Sequence, residues 1–336
     1  DMRARRARLD AGLMIFDGPE PPAASLIGDI AYVLRALSKV CRDEGLDPAL
    51  KKSTVRLWLA REEARGRRAT GLSLQLRLLR SFLDYRGEQP KLRKKLGKLA
   101  ADYTRRGGRQ RKRKHAWLLQ NPTDIGKVWD LAENLLARSR AAPAGSCTRA
   151  KLAREAAVLA LSVNMPLRCG DLHRLGIGHE IARDAAGWRA ELVTQKTDCH
   201  YEMPALWPET TPFLDELLII EAPGGDLWRG YDARIGTPIF SRDGGGTALS
   251  AEWISDVFCD HVGTGQHIVR SLWHQLAYDS DQDLTWMALA LCGQHGARTD
   301  AHYRERNARK TAVRSGRRLL AAVRARSRAS LEGLGS

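Results

Sequence analysis

Residues 188–206 read WRAELVTQKTDCHYEMPAL and interrupt an otherwise helical pattern. The halves WRAELV and CHYEMPAL alternate apolar and polar residues around Thr197 and Asp198, which is typical of two short strands joined by a turn. On both sides of this stretch, apolar residues recur at steps of three and four, and that spacing predicts helices. The predicted fold class is therefore mainly α with a small β-hairpin or sheet.

The chain before the hairpin predicts a compact helical unit over residues 23 to about 103. Its amphipathic segments are SLIGDIAYVLRALSKVCRDEG, STVRLWLAREEARG and SLQLRLLRSFLDYRG. Serine and threonine favour helix starts, and glycine favours helix ends. The expected N-caps are Ser53, Thr54 and Ser73, and the expected ends are Gly45, Gly66 and Gly87. Three to five helices are predicted.

A second unit is predicted from His115 onward. Helical patterns cover residues 122–141, 148–166, 209–221, 250–262, 267–279, 283–292 and 299–312, with a glycine loop at 244–246. The predicted organisation is an N-terminal extension 1–22, a first helical domain 23–104, a basic linker 105–115, a second domain 116–315 and a basic C-terminal tail 316–336.

The composition is strongly basic. Lys and Arg number 55 against 39 Asp and Glu, which gives a net charge of +16. Such an excess indicates a polyanionic partner, most often nucleic acid. A generally arginine-rich composition, unrelated to any partner, would give the same excess of positive charge. The sequence lacks an apolar run of the ~20 residues that a membrane span needs. The six cysteines form no C-x-x-C pair, which argues against a disulfide framework or a zinc ribbon. We expect a soluble cytoplasmic protein without a membrane partner.

Residues 91–114, KLRKKLGKLAADYTRRGGRQRKRK, carry 12 Lys and Arg against one acid, Asp102. We expect the Gly107–Gly108 pair to break any helix there. One interpretation is a solvated charged face. The other is a linker that lies along nucleic-acid phosphates and gains free energy by releasing counterions. The residues assigned to this binding are Arg105, Arg106, Arg109, Arg111, Lys112, Arg113 and Lys114.

Three stretches of the second unit carry residues that are candidates for a chemical role. In NMPLRCGDLHRL, Arg168 precedes Asp171 by three positions, a spacing that also suits a surface ion pair. In QHIVRSLWHQLAYD, His267 and Arg270 have the same spacing on a largely apolar helix, where a histidine is also compatible with a core position. In LCGQHGARTDAHYRE, Tyr303 follows two histidines.

In chain order these are an arginine, a lysine in the hairpin turn, His-x-x-Arg, a histidine-containing turn and a tyrosine. That order, over residues 148–310, resembles the tyrosine recombinase (phage integrase) family. PLRCGDLHRL is similar to the box of the family's first arginine, TQKT to its lysine hairpin, HIVRSLWHQLAYD to its His-x-x-Arg helix and CGQHGARTDAHY to its nucleophile region. The resemblance implies two domains that clamp DNA: a helical core-binding domain, 23–104, and a catalytic domain, 116–315.

The resemblance also implies roles for single residues. They are Tyr303 as nucleophile, Arg168 and Arg270 as phosphate clamps, Lys196 as general acid, His267 as acceptor of the tyrosine proton, and Asp171 as the group that orients Arg168. The reaction so implied cuts and rejoins DNA through a 3′-phosphotyrosine, without a metal or another cofactor. Lys196 is the only lysine between residues 152 and 309, which favours its assignment.

The chain departs from the family pattern near the nucleophile. The family's second histidine directly follows a glycine, nine residues before the tyrosine, whereas here Gln294 follows Gly293 and His295 comes one position later. Either His295 is presented by a one-residue shift, or Gln294 replaces it as a neutral donor. His302 is interpreted as a bystander or a phosphate contact. Pro166 stands where the family commonly has glycine.

The partners implied are double-stranded DNA with recombination sites, three further copies of the chain in a homotetramer, and accessory DNA-bending proteins. The basic tail, with RRLLAAVRARSR, is either a solvated helix or an element that packs on a neighbouring subunit. Two alternatives use the same fold, a DNA-binding protein without activity and a type IB topoisomerase. A further alternative is a metal site of His261, His267 and His274.

Overall fold

The computed structural model describes residues 2–14, 18–110, 113–196, 198–220, 222–279 and 284–293, with the single positions 316, 320–321 and 324–325. The chain divides into two compact units, residues 1–117 and 118–336. Within the described ranges, no helix combines the length and apolarity needed to cross a membrane. The fold is mainly helical with one small antiparallel sheet, as the sequence predicted.

The first unit is helical. Its helices are α1 (Met2–Asp10), α2 (Ala24–Asp43), α3 (Lys52–Ala64), α4 (Ala69–Arg86) and α5 (Pro90–Gly108), and α6 (Arg113–Gln120) crosses the boundary between the units. Apolar faces of α2 to α5 enclose Trp58, Leu37 and Leu76, which are fully buried. Gly45, Gly66 and Gly87 follow α2, α3 and α4 with positive φ, so the predicted helix ends are confirmed.

None of the three expected N-caps, Ser53, Thr54 and Ser73, is an N-cap, because all three lie inside their helices. Helix α3 begins at Lys52, and the Thr54 hydroxyl accepts a hydrogen bond from the Lys51 backbone N–H at 3.0 Å, from inside the first turn. The assignment of Ser73 as an N-cap was wrong, because α4 begins at Ala69. The buried Ser73 hydroxyl instead donates to the carbonyl of Ala100 at 2.8 Å and ties α4 to α5.

Helix α5 ends at the Gly107–Gly108 pair, as predicted, but both glycines still belong to the helix as its last two residues. Helix α5 continues through both residues, so the predicted linker 105–115 is helical at its start and again from Arg113. A Cβ atom on the buried Gly107 would lie 2.6 Å from Cγ2 of Thr70 and 3.1 Å from its backbone nitrogen. The absent side chain therefore lets α5 approach the first turn of α4, which outweighs the low helix propensity of glycine.

Two adjacent substitutions test this close approach. We expect Gly107→Ala to lower the free energy of unfolding by about 1–3 kcal/mol, because the added methyl collides with the Thr70 side chain and crowds the Thr70 backbone. The matched control is Gly108→Ala, where nothing lies within 4 Å of the added Cβ. This control should be more stable by about 0.5–1 kcal/mol, the helix-propensity difference between alanine and glycine. Urea denaturation of the full chain measures both, and equal effects would refute the close approach.

The second unit combines helices with the sheet. Its helices are α7 (Ile125–Ala141), α8 (Cys147–Asn164), α9 (Cys169–Leu172), α10 (Thr211–Ile219), α11 (Leu227–Arg234), α12 (Ala251–Val262), α13 (Ile268–Asp279) and α14 (Thr285–Leu291), and its strands are β1 (Ile181–Asp184), β2 (Gly187–Val193) and β3 (His200–Met203). The predicted hairpin is confirmed as β2 and β3. Strand β1 and helix α11 were not predicted, and the helix expected at 299–312 lies outside the described residues.

The sheet has the order β1-β2-β3 with antiparallel neighbours, and Ala190 pairs with Ile181 on one side and Met203 on the other. Alternate residues of β2, Trp188, Ala190 and Leu192, are buried, as the alternation predicted. The core beside it contains Trp129, Trp207 and Trp273, whose successive ring centroids are 6.1 and 6.0 Å apart. The Trp273 indole N–H also donates to the Val163 carbonyl at 3.0 Å, which places the end of α8 beside the start of α13.

Candidate active site

Arg168 lies on the short connection between α8 and α9. Helix α8 ends at Asn164, and Arg168 has extended backbone (φ −78°, ψ 153°) immediately before α9. Its carbonyl accepts hydrogen bonds from the N–H groups of Asp171 and Leu172, both at 2.9 Å. The backbone position of Arg168 is therefore set by the start of α9.

Arg270, in the first turn of α13, and Gln266, in the turn just before that helix, hold the same connection. Arg270 donates through Nη1 to the carbonyl of Pro166 at 2.8 Å, and Gln266 donates through Nε2 to the carbonyl of Leu167 at 2.7 Å. Gln266 also accepts a weak hydrogen bond from the Cys169 thiol at 3.5 Å. Both side chains are buried, with 2% of Arg270 and 1% of Gln266 exposed. The residues that flank Arg168 are thus fixed relative to Arg270.

The Arg270 guanidinium is only partly satisfied. Its Nε and Nη2 are buried and have no hydrogen-bond partner among the described residues. Burial lowers the pKa of Arg270, and the neighbouring positive charge of Arg168 lowers it further, while Asp171 acts in the opposite direction. A buried cation with unused donors beside a second cation is costly unless an anion accompanies it. This part of the site is therefore electrostatically complementary to an anion.

Asp171 contacts the hairpin. Its buried carboxylate accepts a hydrogen bond from the backbone N–H of Gln195 at 2.8 Å. The expected pairing of Asp171 with Arg168, whether as an orienting contact or as a surface ion pair, is not among the described contacts. With the Gln195 side-chain amide oriented so that both its oxygen and its nitrogen have partners, it donates to the carbonyl of Gly170 at 3.1 Å and accepts from Arg174. The α9 segment is thus tied to the β2–β3 turn through Gly170, Asp171 and Arg174.

Lys196 follows Gln195 in that turn and is exposed. The turn is closed by the Thr194 N–H, which donates to the Cys199 carbonyl, and by the Asp198 N–H, which donates to the Thr194 carbonyl, both at 2.9 Å. Because Gln195 is held by Asp171, the base of the turn is fixed to the segment that carries Arg168. The structure therefore places the turn that contains Lys196 beside the segment that carries Arg168.

His267 lies in the turn directly before α13, not within the helix as predicted, and its side chain is exposed. The interpretation of a buried core histidine is excluded by that exposure. Arg270, three residues later, points into the protein. At the start of α13, His267 therefore lies on the solvent side and Arg270 on the buried side.

The end of α14 lies against the same connection. The Tyr201 hydroxyl donates to the carbonyl of Leu291 at 3.0 Å. Gly293 has φ +55°, and a Cβ there would lie 3.0 Å from Cδ2 of Tyr201 and 3.8 Å from Cδ2 of Leu167. Gly293 therefore lies close to Leu167, the residue directly before Arg168. Gln294, His295, His302 and Tyr303 lie outside the described residues.

Two thiols near the arginines are unsuited to nucleophilic chemistry. Burial raises the pKa of Cys169 to about 11 and the pKa of Cys292 to about 12. Both remain protonated near neutral pH, whereas the thiolate is the reactive form. Among the described residues, these thiols are therefore not candidates for the reacting group.

The proposed histidine metal site has no support. The His261 ring lies 3.0 Å from a carboxylate oxygen of the buried Glu155, and Gly263 ends α12 with φ +84° before His267 is reached. No group of three or more potential ligands that could hold a metal is found in the part of the chain that the structure describes.

The predicted nucleic-acid residues begin at the end of α5. Arg105 pairs with Asp102, and Arg106 pairs with Glu63 at 3.0 Å and lies 4.6 Å from the Tyr103 ring centroid. Arg109 is exposed. Arg113 and Lys114 lie in α6, and Arg111 and Lys112 fall outside the described residues. Exposed ion pairs of this kind are weak, so a phosphate can compete for them.

A basic groove that the sequence reasoning missed lies beside this helix end. The turn from α3 to α4 contributes Arg65, Arg67 and Arg68, and Gly107 and Gln110 line the opposite side. Arg65 and Arg67 both contact the buried Glu62, which holds two of the three cations in place. The run RGRR in the sequence was the available signal.

The described positions of the C-terminal tail contact their own unit. Arg324 pairs with Glu133 of α7 at 2.6 Å, and Leu320 is buried. A Cβ on Gly316 would lie 3.0 Å from Cζ2 of Trp207. These contacts differ from the fully solvated helix that was one interpretation of the tail.

Comparison of the sequence with models of known protein families gives no match, and comparison with curated proteins gives none either.

Proposed function

We propose that the protein is a site-specific DNA recombinase of the tyrosine recombinase type, an integrase or transposon recombinase. The observation that carries this proposal is the buried Arg270 beside Arg168, with two guanidinium nitrogens that have no hydrogen-bond partner among the described residues. Two guanidiniums in fork geometry suit the non-bridging oxygens of a phosphodiester, whose charge grows in the transition state.

The order of the remaining residues along the sequence supports the same chemistry. Tyr303 attacks the scissile phosphorus through its phenolic oxygen, the bond to the 5′-oxygen breaks, and a 3′-phosphotyrosine forms. Lys196 supplies the proton that the leaving 5′-oxygen needs, and His267 takes the tyrosine proton. Rejoining is the reverse, with a 5′-hydroxyl as the attacking group. The phosphodiester energy is kept in the covalent bond, so no energy-rich cofactor is consumed.

Basic surfaces of the first unit support DNA as the substrate. The groove of Arg65, Arg67 and Arg68 and the end of α5 present cations that track a phosphate backbone without reading its sequence. Exchange between two DNA sites requires four such active sites, so a homotetramer on DNA is part of the proposal. The catalytic and core-binding domains would clamp the duplex, with accessory DNA-bending proteins as further partners and the nucleoid as the location.

The test is covalent trapping. A duplex that carries a nick near the cleavage position loses the short strand end after attack, so rejoining is prevented and a protein–DNA adduct accumulates. We expect the adduct on denaturing gels in the presence of excess EDTA, because arginines supply the charge that a metal supplies in many nucleases. Bound but uncleaved DNA would indicate the binding protein without activity, and loss of cleavage in EDTA would indicate a metal enzyme.

Salt dependence of DNA binding tests the basic segment. We expect Arg109→Gln to reduce the slope of log affinity against log salt by about 0.9, the value for one lost phosphate contact. Arg106→Gln should change it less, because a phosphate must compete with Glu63 for that guanidinium. The control is Arg42→Gln, an exposed arginine on α2 outside the segment. A loss confined to one DNA sequence would contradict a backbone contact.

A further inference from the structure

Gln266 lies near Arg168 and Arg270, and the sequence did not predict a role for it. It is 1% exposed, so its amide is removed from water on all sides. Both ends of the amide are used: Nε2 donates to the Leu167 carbonyl at 2.7 Å and Oε1 accepts from the Cys169 thiol at 3.5 Å. These two residues are the immediate neighbours of Arg168 in the chain. Gln266 thus holds the backbone carbonyl just before that arginine and the side chain of the residue just after it.

The positive charges of Arg168 and Arg270 explain why the segment around Arg168 needs to be held in place. Arg168 and Arg270 lie close enough for the first to disfavour the charged form of the second. Two like charges in a low-dielectric environment repel each other most strongly when no anion lies between them. Without bound phosphate, Arg168 is therefore pushed away from Arg270. Gln266 is neutral, so it holds the Arg168 backbone without adding a competing anion.

We propose that Gln266 is a positioning residue that keeps Arg168 in register with Arg270 for binding of a phosphate oxyanion. The proposal rests on the proposed function for the reaction itself, but the anion binding can be measured separately. Gln266 does not touch the reacting atoms in this proposal; it acts through Arg168. A displacement of about 1 Å in a group that binds the reacting phosphate costs about 10²-fold in rate.

The first readout is a double-mutant comparison of adduct formation on the nicked duplex. We expect Gln266→Met, which keeps the volume and loses both hydrogen bonds, to slow adduct formation about 10- to 100-fold with DNA affinity unchanged. In an Arg168→Ala background the same change should cost less than about 3-fold, since coupled residues are not additive. An equal loss in both backgrounds would overturn the proposal.

A matched control separates positioning from general damage. Gln75 is a buried glutamine of α4 in the first unit, with 6% exposure, and Gln75→Met should leave adduct formation unchanged. An equal loss in this variant would count against a specific role. Gln266→Asn, one methylene shorter, provides a second variant if Gln266→Met does not fold, and the same loss is expected from it.

The second readout does not need catalysis. Inorganic sulfate should raise the Tm of the wild-type protein by binding the arginines, and this rise should fall at least about 3-fold in Gln266→Met but persist in Gln75→Met. If the wild type forms no DNA adduct, the proposed function fails, and the sulfate readout alone decides the role of Gln266. An undiminished sulfate effect in Gln266→Met would overturn it.

Discussion

Replacing Tyr303 by phenylalanine is expected to abolish the covalent DNA adduct. The phenolic oxygen is the proposed nucleophile, and phenylalanine differs from tyrosine by that atom alone. Removal of a nucleophile leaves only binding and electrostatic stabilisation, so we expect a loss of at least about 10⁴-fold in the rate of adduct formation. DNA affinity should stay unchanged, because one hydroxyl contributes little to a contact dominated by phosphates and cations.

The control for this substitution is Tyr231→Phe in the same unit. The Tyr231 hydroxyl accepts a hydrogen bond from the Arg183 N–H at 3.3 Å, and its ring packs against Trp188. This variant should retain full adduct formation. An adduct that persists in Tyr303→Phe would show that another group attacks the phosphorus.

Replacing Arg270 by methionine is expected to lower the activity while raising the stability of the free protein. Loss of one electrostatic donor in the site should slow adduct formation about 10²- to 10³-fold. The same change removes a buried cation that has unused donors and repels Arg168. We therefore expect the free protein to gain about 1 kcal/mol in free energy of unfolding, despite the lost hydrogen bond to Pro166.

Arg234 provides the matched control for this result. It is buried to the same degree, with 3% exposed, but its guanidinium donates to the carbonyls of Pro238 and Ile239 and to the hydroxyls of Thr237 and Ser241. Arg234→Met should lower the free energy of unfolding by about 3 kcal/mol, because these acceptors lose their partner. Denaturation without anions measures both variants. Equal destabilisation would mean that Arg270 is a structural residue with satisfied contacts.

Local sequence patterns predicted the helices and strands better than they predicted which of these elements pack against each other. Alternation in WRAELV predicted β2, because one face of that strand is buried, and glycines predicted the ends of α2, α3 and α4. The Gly107–Gly108 pair indicated the end of α5, but it did not indicate that Gly107 packs against Thr70, on another helix. Ser73 was misread because its acceptor, the carbonyl of Ala100, also lies on another helix. Local propensity carries no information about such tertiary partners.

The candidate site shows the same limit. Residue order predicted Arg168, Lys196, His267 and Arg270, and the structure brings their segments together. It did not predict that Asp171 binds the hairpin backbone, because a carboxylate three residues after an arginine suggests a local pair. Gln266 and Tyr201 had no signal, since both act through backbone carbonyls distant in sequence.

The most direct measurement is identification of the residue that carries DNA. The trapped adduct is digested with a nuclease and a protease, and the modified peptide is sequenced by mass spectrometry. The proposed mechanism predicts a nucleotide joined through its 3′-phosphate to Tyr303. A nucleotide on any other residue, or a 5′-phosphate linkage, would contradict it.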